Sequence, residues 1–416
     1  MDKINKELTI KYAFLQSTFW ISQCIINSFA AVYLTHKGFS TTTIGIILSL
    51  AAVLSVILQP LIAAYADKSI KIALKTIVLL LMVVVLLLTI TLCLFPNIPY
   101  LIAIIFVLIN AIQCTLIPLF NSLAILYMNK GILLNYGLAR GISSLSYAFM
   151  SSFVGIVLSK FSPNILIYIF LFTYTLHIIS LFCYKVSKKN RLIYEHHLEK
   201  ISQEKIEATL HNETNTKNPL SMLGFVKKYN KFMLLLLGCS MLFFSHSLLN
   251  TYLIHIVENV GGDSRDMGIT LSISAALELP TMAVFVYLLR KVKCTTLLKT
   301  SAFFFFIKAG VTFLAPNIIT LHFAQSFQML AFALFTPASV YYVNSIIREE
   351  DKVKGQSLLG VAILGIAGTL ANVSGGKIID TMNVSYMLLI GTIVAGIGFI
   401  FVYLFTEKVD DKITLS

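Results

Sequence analysis

The stretch Ile77–Leu94, IVLLLMVVVLLLTITLCL, is almost without polar residues. A helix needs about twenty mostly apolar residues to cross the ~30 Å hydrocarbon core of a bilayer. A transmembrane barrel strand would instead be about ten residues long and would alternate between polar and apolar positions. This stretch does not alternate, so it predicts a transmembrane helix.

Comparable blocks recur about every 30 residues along the 416-residue chain, in which 57% of the residues are hydrophobic and 12% are charged. A soluble domain normally carries about 25% charged residues. The composition therefore predicts an all-α membrane protein. We expect twelve spans, near residues 12–36, 43–65, 73–95, 98–127, 136–160, 164–185, 232–256, 267–289, 296–315, 317–347, 354–379 and 384–406.

One connection differs from the others, because residues 186–231 are long, polar and charged, whereas most other connections are short. It divides the spans six and six. A long connection at the midpoint is typical of transporters built from two six-helix halves. We therefore predict an N-terminal bundle over residues 1–185, a cytoplasmic linker over 186–231 and a C-terminal bundle over 232–416.

The basic residues predict the orientation. Of the 32 Lys and Arg residues, Lys37, Lys160, Arg265 and Lys377 lie in odd-numbered connections, and most of the rest lie at the termini or in even-numbered ones. Cytoplasmic loops carry the excess of Lys and Arg, so both termini are expected in the cytoplasm of a cell-membrane protein. The same bias explains the net charge of +13 without a nucleic-acid partner.

The remaining composition points away from metal and redox chemistry. The six cysteines are scattered and form no CxxC pair, which favours buried small hydrophobes. The first residues lead directly into a full-length span and do not resemble a cleavable signal peptide. No metal and no cofactor is expected, and we expect the lipid bilayer, a small solute and a monomeric functional unit.

Several spans carry polar residues at helical spacing, which places them on one face of each helix. For any single residue, a hydrogen bond between helices is a sufficient explanation. Stripes on six spans together predict a polar, solute-binding cavity between two bundles. The candidate substrate-binding residues are Gln16, Trp20, Gln23, Asn27, Asn110, Gln113, Asn121, Arg140, Ser144, Tyr147, His246, Asn250, Gln325 and Gln328.

Two charged residues lie deep within predicted spans. Glu278 is about eleven residues into the eighth span and Lys308 is in the middle of the ninth. A charge at such a depth costs roughly 2.5–3.5 kcal/mol on insertion scales, so it needs a partner, hydration or neutralisation. We predict that Glu278 and Lys308 interact, that protonation of Glu278 weakens this pairing, and that the two residues are the proton-coupling groups. A static pair that sets helix packing is the alternative.

The eleventh span carries a stripe of small residues, among them Gly365, Gly368 and Gly375 or Gly376, with Asn372 on the same face. Small residues allow helices to approach closely. Packing is the main interpretation of this stripe. A contribution of Gly368 to gating is the sharper hypothesis.

The chain resembles a known family over its whole length and most strongly over residues 12–150. Gln59–Lys68 is similar to the Gly-x-x-x-Asp-Arg/Lys-x-Gly-Arg signature of the major facilitator superfamily, since Asp67, Lys68 and Lys71 match while Ala63 and Ile70 replace glycines. The segment 136–140 resembles the Phe-Gly-Arg-Ala-Arg segment of the lactose-permease-like branch. The resemblance implies the major facilitator fold with gating roles for Asp67 and Lys68.

The same resemblance implies roles for four further residues. Arg140 stands at the sugar-contacting arginine and Tyr147 at the stacking tryptophan of that branch, while Glu278 and Lys308 fall where it keeps its coupling glutamate and arginine. Other family positions differ. The acid of the fourth helix aligns with Asn121 or Ser122, the coupling His and Glu of the tenth align near Gln328 and Ala331, and the two aspartates of the seventh have no counterpart.

Together these observations predict a secondary active transporter and not an enzyme. The expected activity is proton-coupled symport of a small polar solute, a sugar, oligosaccharide or nucleoside, by alternating access. Uptake of an organic anion such as an aromatic acid, proton-coupled efflux of drugs or metabolites, and coupling to Na⁺ stay open. A membrane-embedded transferase is a distant alternative, because no acid-rich metal motif lies at a predicted membrane face.

Overall fold

The computed structural model describes residues 2–68, 73–187, 190, 193–194 and 221–407. All regular structure in these ranges is helical. Eleven of the helices described there are long and apolar enough to cross a membrane. The predicted all-α membrane fold is therefore confirmed.

Each of the twelve predicted spans coincides with a helix or with a chain of helical segments, numbered here α1 to α12. Their bounds are α1, Asp2–Gln23, Cys24–Ser28 and Ala30–His36; α2, Thr41–Lys68; α3, Leu74–Leu94; α4, Pro99–Met128; α5, Tyr136–Leu158; α6, Ile165–Cys183; α7, Asn230–Thr251 and Leu253–Asn259; α8, Ser264–Lys291; α9, Cys294–Phe313; α10, Ile318–Ser326, Phe327–Met329 and Phe332–Ile346; α11, Glu349–Asp351, Lys352–Gly360, Val361–Ile366 and Ala367–Thr381; and α12, Val384–Phe405. A short helix, Met222–Lys228, precedes α7.

Of the four spans built from several helical segments, three contain a π or 3₁₀ turn. The segments Cys24–Ser28 in α1 and Val361–Ile366 in α11 are π-helical, and Phe327–Met329 in α10 is a 3₁₀ turn. Such turns change the backbone hydrogen-bonding pattern and are frequent at functional sites. The first span is not among the eleven candidates by length and hydropathy, whereas the interrupted spans α10 and α11 are.

Polar residues cap several helices where they leave the predicted membrane region. The Asp263 carboxylate accepts hydrogen bonds from the backbone N–H groups of Arg265 and Asp266, and the Asp266 carboxylate accepts one from the backbone N–H group of Asp263. Together these bonds form a capping box at the start of α8. The side chains of Asn317 and Asn383 each accept from one backbone N–H group, that of Thr320 at the start of α10 and that of Tyr386 at the start of α12. These caps satisfy N–H groups that have no partner within the helix.

The chain forms two compact units that do not follow the sequence halves. Unit 1 comprises Met1–Ile26, Leu54–Tyr147 and Leu166–Lys217, and unit 2 comprises Asn27–Val53, Ala148–Ile165 and Asn218–Ser416. Segments of α1, α2 and α5 are therefore grouped with the C-terminal half. The division of the chain at residues 186–231 stays a prediction.

Unit 1 is held partly by a half-buried carboxylate at the start of α1. Glu7 accepts hydrogen bonds from Lys11 Nζ at 2.5 Å, Ser187 N at 2.9 Å and Asn190 Nδ2 at 2.6 Å. Burial alone would raise the pKa of Glu7, but these donors outweigh it and lower the pKa. The ionised carboxylate therefore ties α1 to the segment that follows α6.

Unit 2 depends on a close helix contact between α7 and α12. A Cβ atom added at Gly238 would lie 2.8 Å from Phe401 Cβ and 3.0 Å from the Gly398 carbonyl oxygen. A Cβ at Gly398 would lie 2.9 Å from the Gly238 carbonyl oxygen. In lipid, the hydrophobic effect does not favour association of one helix with another. The dispersion contacts that this close backbone approach allows therefore stabilise the α7–α12 pair.

We predict that Gly238→Ala destabilises the protein by about 1–3 kcal/mol, because the added methyl group overpacks the α7–α12 contact. Melting can be followed in detergent with a thiol-reactive dye, since Cys24, Cys239 and Cys294 are buried. Gly360→Ala is the matched control, because a Cβ there meets nothing within 4 Å. A melting temperature unchanged in Gly238→Ala would contradict the close approach.

Candidate functional site

A small cavity in unit 1 brings together four of the predicted substrate-binding residues. Its volume is about 100 Å³, and its lining includes Gln16 and Trp20 from α1, Asn121 from α4 and Arg140 from α5. The Arg140 guanidinium lies over the Trp20 ring, with Cζ 4.0 Å from the ring centroid. This cation–π contact holds the guanidinium at the cavity and orients its planar fork of donors.

The other polar groups of this cavity form a hydrogen-bonded chain. Trp20 Nε1 donates to Gln16 Oε1 at 3.3 Å, and Gln16 Nε2 donates to the Tyr12 hydroxyl at 2.6 Å. The hydroxyls of Tyr12 and Tyr136 both donate to Asn121 Oδ1, at 3.5 and 3.0 Å. The chain fixes the rotamers of Gln16 and Asn121, which preorganises their remaining hydrogen-bonding capacity.

The lining chemistry is suited to a small polar molecule with a flat or apolar face. Phe19 and Phe120 contribute aromatic surface, with ring centroids 5.2 Å apart. Arg140 supplies a cation, and the described residues that line the cavity include no acid. Such a set can donate hydrogen bonds to hydroxyl groups, carbonyl groups or a carboxylate.

Other predicted residues of this half lie away from the cavity lining. Gln23, Asn110 and Gln113 are buried, and within the described residues both amide atoms of Gln113 have no hydrogen-bond partner. Ser144 is buried and its hydroxyl donates to the Arg140 carbonyl oxygen at 3.4 Å. Tyr147 is half-buried, one turn beyond Ser144. Their roles in binding stay predictions.

Asn27 stands apart from these residues, because it lies exposed in the π turn of α1 and belongs to unit 2.

Sequence reasoning missed the two tyrosines of the hydrogen-bonded chain. Tyr12 precedes Gln16 by one helical turn, so extending the polar stripe of α1 toward its start would have included it. Tyr136 was not a candidate binding residue and was noted only because the segment 136–140 resembles a family segment. Both ring hydroxyls converge on Asn121, a contact between helices that spacing along one helix cannot reveal.

In unit 2, a glutamine connects the two charged residues of the spans. Lys308 Nζ donates to Gln328 Oε1 at 2.6 Å, and Gln328 Nε2 donates to Glu278 Oε1 at 3.0 Å. Lys308 is 1% exposed and Gln328 is 5% exposed. The predicted interaction between Glu278 and Lys308 therefore includes a bridging amide that the sequence pattern had assigned to substrate binding.

The broken helix α10 positions this bridge. Gln328 lies in the 3₁₀ turn Phe327–Met329, between the two α-helical segments of the span. One turn earlier, Gln325 is buried and its Oε1 accepts from the Ser274 hydroxyl at 3.0 Å. Two glutamines on α10 thus contact two polar residues of α8, Ser274 and Glu278, that are one turn apart.

The remaining candidates on α7 lie in an aromatic environment. His246 is buried, stacks on the Phe332 ring with centroids 5.1 Å apart, and lies edge-on to Phe305. Its Nε2 is 2.9 Å from Asn250 Nδ2, and Asn250 is exposed. Among the described residues, no group of three His, Cys, Asp or Glu side chains could hold a metal ion.

A third cluster in unit 2 joins the start of α2 to the end of α11. Asp380 Oδ2 accepts from Thr42 N at 2.7 Å and from the Thr42 hydroxyl at 2.6 Å, while Oδ1 accepts from Thr41 N at 3.2 Å. A carboxylate from α11 thus caps the N-terminus of α2, where the helix dipole also favours negative charge. Ser49 Oγ donates to the Thr369 carbonyl oxygen at 2.9 Å, two turns further along α2.

Glycines allow this close approach of α2 and α11. A Cβ atom at Gly45 would overlap the Asn372 carbonyl oxygen, and one at Gly376 would overlap the Thr41 carbonyl oxygen. Tyr252 of α7 donates its hydroxyl to the same Asn372 carbonyl. The contact therefore requires glycine at positions 45 and 376.

The predicted gating residues are Asp67, Lys68 and Gly368, and Gly368 does not share the close helix contact of Gly45 and Gly376. A Cβ at Gly368 would have only Ser247 Oγ as a neighbour, at 4.0 Å, so the tight positions of the α11 stripe are Gly375 and Gly376. Asp67 and Lys68 fall in the last turn of α2, and their side chains lie outside the described residues. Gating roles for all three residues stay predictions.

Comparison with known proteins agrees with this architecture. The sequence model of the MFS_1 like family matches residues 13–390. The chain belongs to the MFS_1 like family. It is therefore a multi-pass membrane protein and a transporter of the major facilitator superfamily. No curated protein matches the sequence.

Solved structures share the fold at low sequence identity. A mutant of the nucleoside transporter NupG superposes with a TM-score of 0.74 at 14% identity, covering 97% of this chain and 98% of NupG. A D-xylose–proton symporter gives 0.64 at 14% identity, covering 97% of each chain. A POT family transporter in complex with a thioalcohol-conjugated peptide gives 0.69 at 13% identity, covering 96% of each chain.

We predict that Gln328→Leu destabilises the protein more than Gln325→Leu does. The first change removes hydrogen bonds to two ionisable groups, which contribute about 1.5–3 kcal/mol each when the group is charged, whereas the second removes one neutral hydrogen bond of about 0.5–1.5 kcal/mol. Thiol-dye melting of the two variants measures the difference. Equal losses would contradict a bridging role for Gln328.

We predict that Asp380→Ala increases amide hydrogen exchange at the start of α2 by about fivefold, because losing a helix cap costs about 0.5–2 kcal/mol. Exchange in residues 39–49 is read by mass spectrometry, and Asp380→Asn should give an intermediate value because one acceptor oxygen remains. Asp263→Ala, which removes the cap of α8, serves as the control and should leave residues 39–49 unchanged. Unchanged exchange in Asp380→Ala would contradict the cap.

Proposed function

We propose that this protein is a proton-coupled symporter that takes up a small polar organic solute, a sugar, oligosaccharide or nucleoside, by alternating access. The observation that carries the proposal is the hydrogen-bonded connection from Lys308 through Gln328 to Glu278. A half-buried carboxyl group connected to a buried amine can exist in two protonation states with different hydrogen-bonding patterns.

Protonation would change this connection in a defined way. Ionised Glu278 accepts a hydrogen bond from the Gln328 amide, whose oxygen accepts one from Lys308. Protonated Glu278 carries no negative charge and has gained an O–H donor. This change weakens the hydrogen bonds that hold the Gln328 side chain between Lys308 and Glu278. Coupling requires that the proton bind two conformations with different affinity, and a rearrangement of Gln328 would supply this difference.

The lining of the unit 1 cavity supports the proposed solute class. The Trp20 ring offers an apolar face on which a sugar or base can stack, while Gln16, Asn121 and Arg140 offer donors and acceptors for hydroxyl groups. NupG is a nucleoside transporter and another structural relative is a D-xylose–proton symporter, which is compatible with this class. We propose that these four residues contact the solute.

A second candidate is uptake of an organic anion. It is favoured by the charge of the cavity, since the described lining residues include the cation of Arg140 and no acid. A carboxylate on an aromatic ring would pair with the guanidinium and stack on Trp20. Proton-coupled efflux would use the same coupling group with the opposite direction of solute flux.

We propose the cell membrane as the location, with both termini in the cytoplasm, because the distribution of Lys and Arg favours this orientation. The contact between α2 and α11 would then lie on the extracellular side. The driving force would be the proton gradient, and the functional unit would be a monomer without a cofactor.

The proposal is tested by measuring proton flux in right-side-out vesicles with an external pH-sensitive dye on addition of sugars, nucleosides or aromatic acids. We expect external alkalinisation with one solute class. Glu278→Gln should abolish it, and Arg140→Ala should reduce it by at least about tenfold, which corresponds to an interaction of about 1.4 kcal/mol.

Glu258→Gln is the matched control, because Glu258 is an exposed carboxylate at the end of α7, 3.7 Å from His255. It should retain full alkalinisation. Full coupled flux in Glu278→Gln would show that the proton site is elsewhere. Accumulation of labelled solute without proton movement would overturn proton coupling.

A further inference from the structure

A second and larger cavity lies in unit 2, away from the polar clusters of that unit. It has a volume of about 440 Å³ and is formed by one side of α7, by the π-helical region of α11 and by α12. Its lining includes Leu237 and Met241 of α7, Val361 and Leu370 of α11, and Val394 of α12. The volume falls in the range of roughly 300–1,000 Å³ that is usual for small-molecule sites.

The chemistry of this cavity excludes a polar ligand. Among the described residues that line it, Ser240 alone has a polar side chain. Its hydroxyl donates to the Leu236 carbonyl oxygen at 2.9 Å and to the Ala362 carbonyl oxygen at 3.2 Å, so it is already satisfied within the protein. A cavity without further polar partners does not retain water, so its natural occupant is a hydrocarbon.

The cavity opens at the surface of the chain. Several of its lining side chains are substantially exposed, among them Leu237 at 46%, Ile366 at 53% and Leu370 at 57%. These residues lie on membrane spans and are aliphatic. At this depth the surrounding solvent is lipid, so an acyl chain can enter through this opening.

Basic residues directly precede the cavity-lining part of α7 along the chain. Lys231 precedes the lining residue Met233 by two positions, which is about 3 Å along the helix axis. Lys227 and Lys228 are exposed on the preceding short helix, Met222–Lys228. Lys231 also lies 3.0 Å from Glu407, so part of its charge is already compensated.

The short helix has the character of an interfacial segment. Leu223 is 78% exposed and Val226 is 38% exposed, beside the two exposed lysines. Exposed apolar side chains adjacent to Lys are typical of segments that lie at the headgroup boundary of a bilayer. The cavity thus extends from a predicted headgroup level with positive charge into the hydrocarbon region.

We propose that this cavity is a binding site for an anionic phospholipid, with one acyl chain between α7 and the π-helical region of α11 and the headgroup at Lys227, Lys228 and Lys231. The π turn Val361–Ile366 widens α11 beside the cavity, and Gly360 has open space where a Cβ would project. The site does not depend on the solute or on proton coupling. A phospholipid bound there would stabilise the segment of α11 that leads to the α2 contact.

The test uses the purified full-length protein in nanodiscs that contain a phosphatidylglycerol analogue with a photoreactive group on its acyl chain. After irradiation, labelled peptides are mapped by mass spectrometry. We expect labelling to concentrate in residues 233–244 and 358–370. Leu237→Trp should fill the cavity mouth and reduce this labelling at least about fivefold, which corresponds to about 1 kcal/mol.

Leu234→Trp is the matched control, because Leu234 is an exposed leucine on the same helix that does not line the cavity. It should leave labelling unchanged, and thiol-dye melting verifies that both variants fold. Replacing Lys227, Lys228 and Lys231 by Gln should lower labelling by about fivefold per lysine, as for a surface lysine near anionic lipid. Even labelling of all spans would overturn the site, and equal labelling by a phosphatidylcholine analogue would overturn its anionic specificity.

Discussion

The interior of a bilayer offers no water to a charged side chain, so a charge within a span needs a partner in the protein or must be neutralised. Lys308 meets this constraint through Gln328, which in turn binds Glu278. The 3₁₀ turn of α10 presents Gln328 at this position. The broken helix α10 thus supplies the partner that the buried Lys308 requires.

The same constraint shapes the other polar clusters. In unit 1, the groups on α1, α4 and α5 satisfy one another through Asn121, so the cavity beside Arg140 is lined by oriented side chains. Between α2 and α11, Asp380 satisfies two backbone N–H groups that the start of a helix leaves open. The proposed binding residues, the proposed coupling residues and the α2–α11 contact are thus separate sets of polar residues, and the apolar cavity lined by α7, α11 and α12 includes none of them.

The spans and the fold class could be predicted from the sequence because hydrophobic length is a local property, as the stretch Ile77–Leu94 illustrates. The polar stripes likewise led to Gln16, Trp20, Asn121 and Arg140, which the structure brings to one cavity. Contacts between distant positions had no local signal. Asp380 caps Thr42 across 338 residues, and the α11 stripe could not show that Gly376, and not Gly368, meets α2.

In the proposed mechanism, Glu278 couples the proton to the solute without forming part of the solute site. The most direct measurement compares two modes of transport by Glu278→Gln in proteoliposomes, using the solute identified by proton flux. Exchange of labelled for unlabelled solute across the membrane needs no net proton movement, whereas accumulation driven by a pH gradient does. We expect Glu278→Gln to retain exchange and to show no accumulation driven by a pH gradient. Loss of both, in a variant that folds normally, would place Glu278 in solute binding and contradict the separation of the two sites.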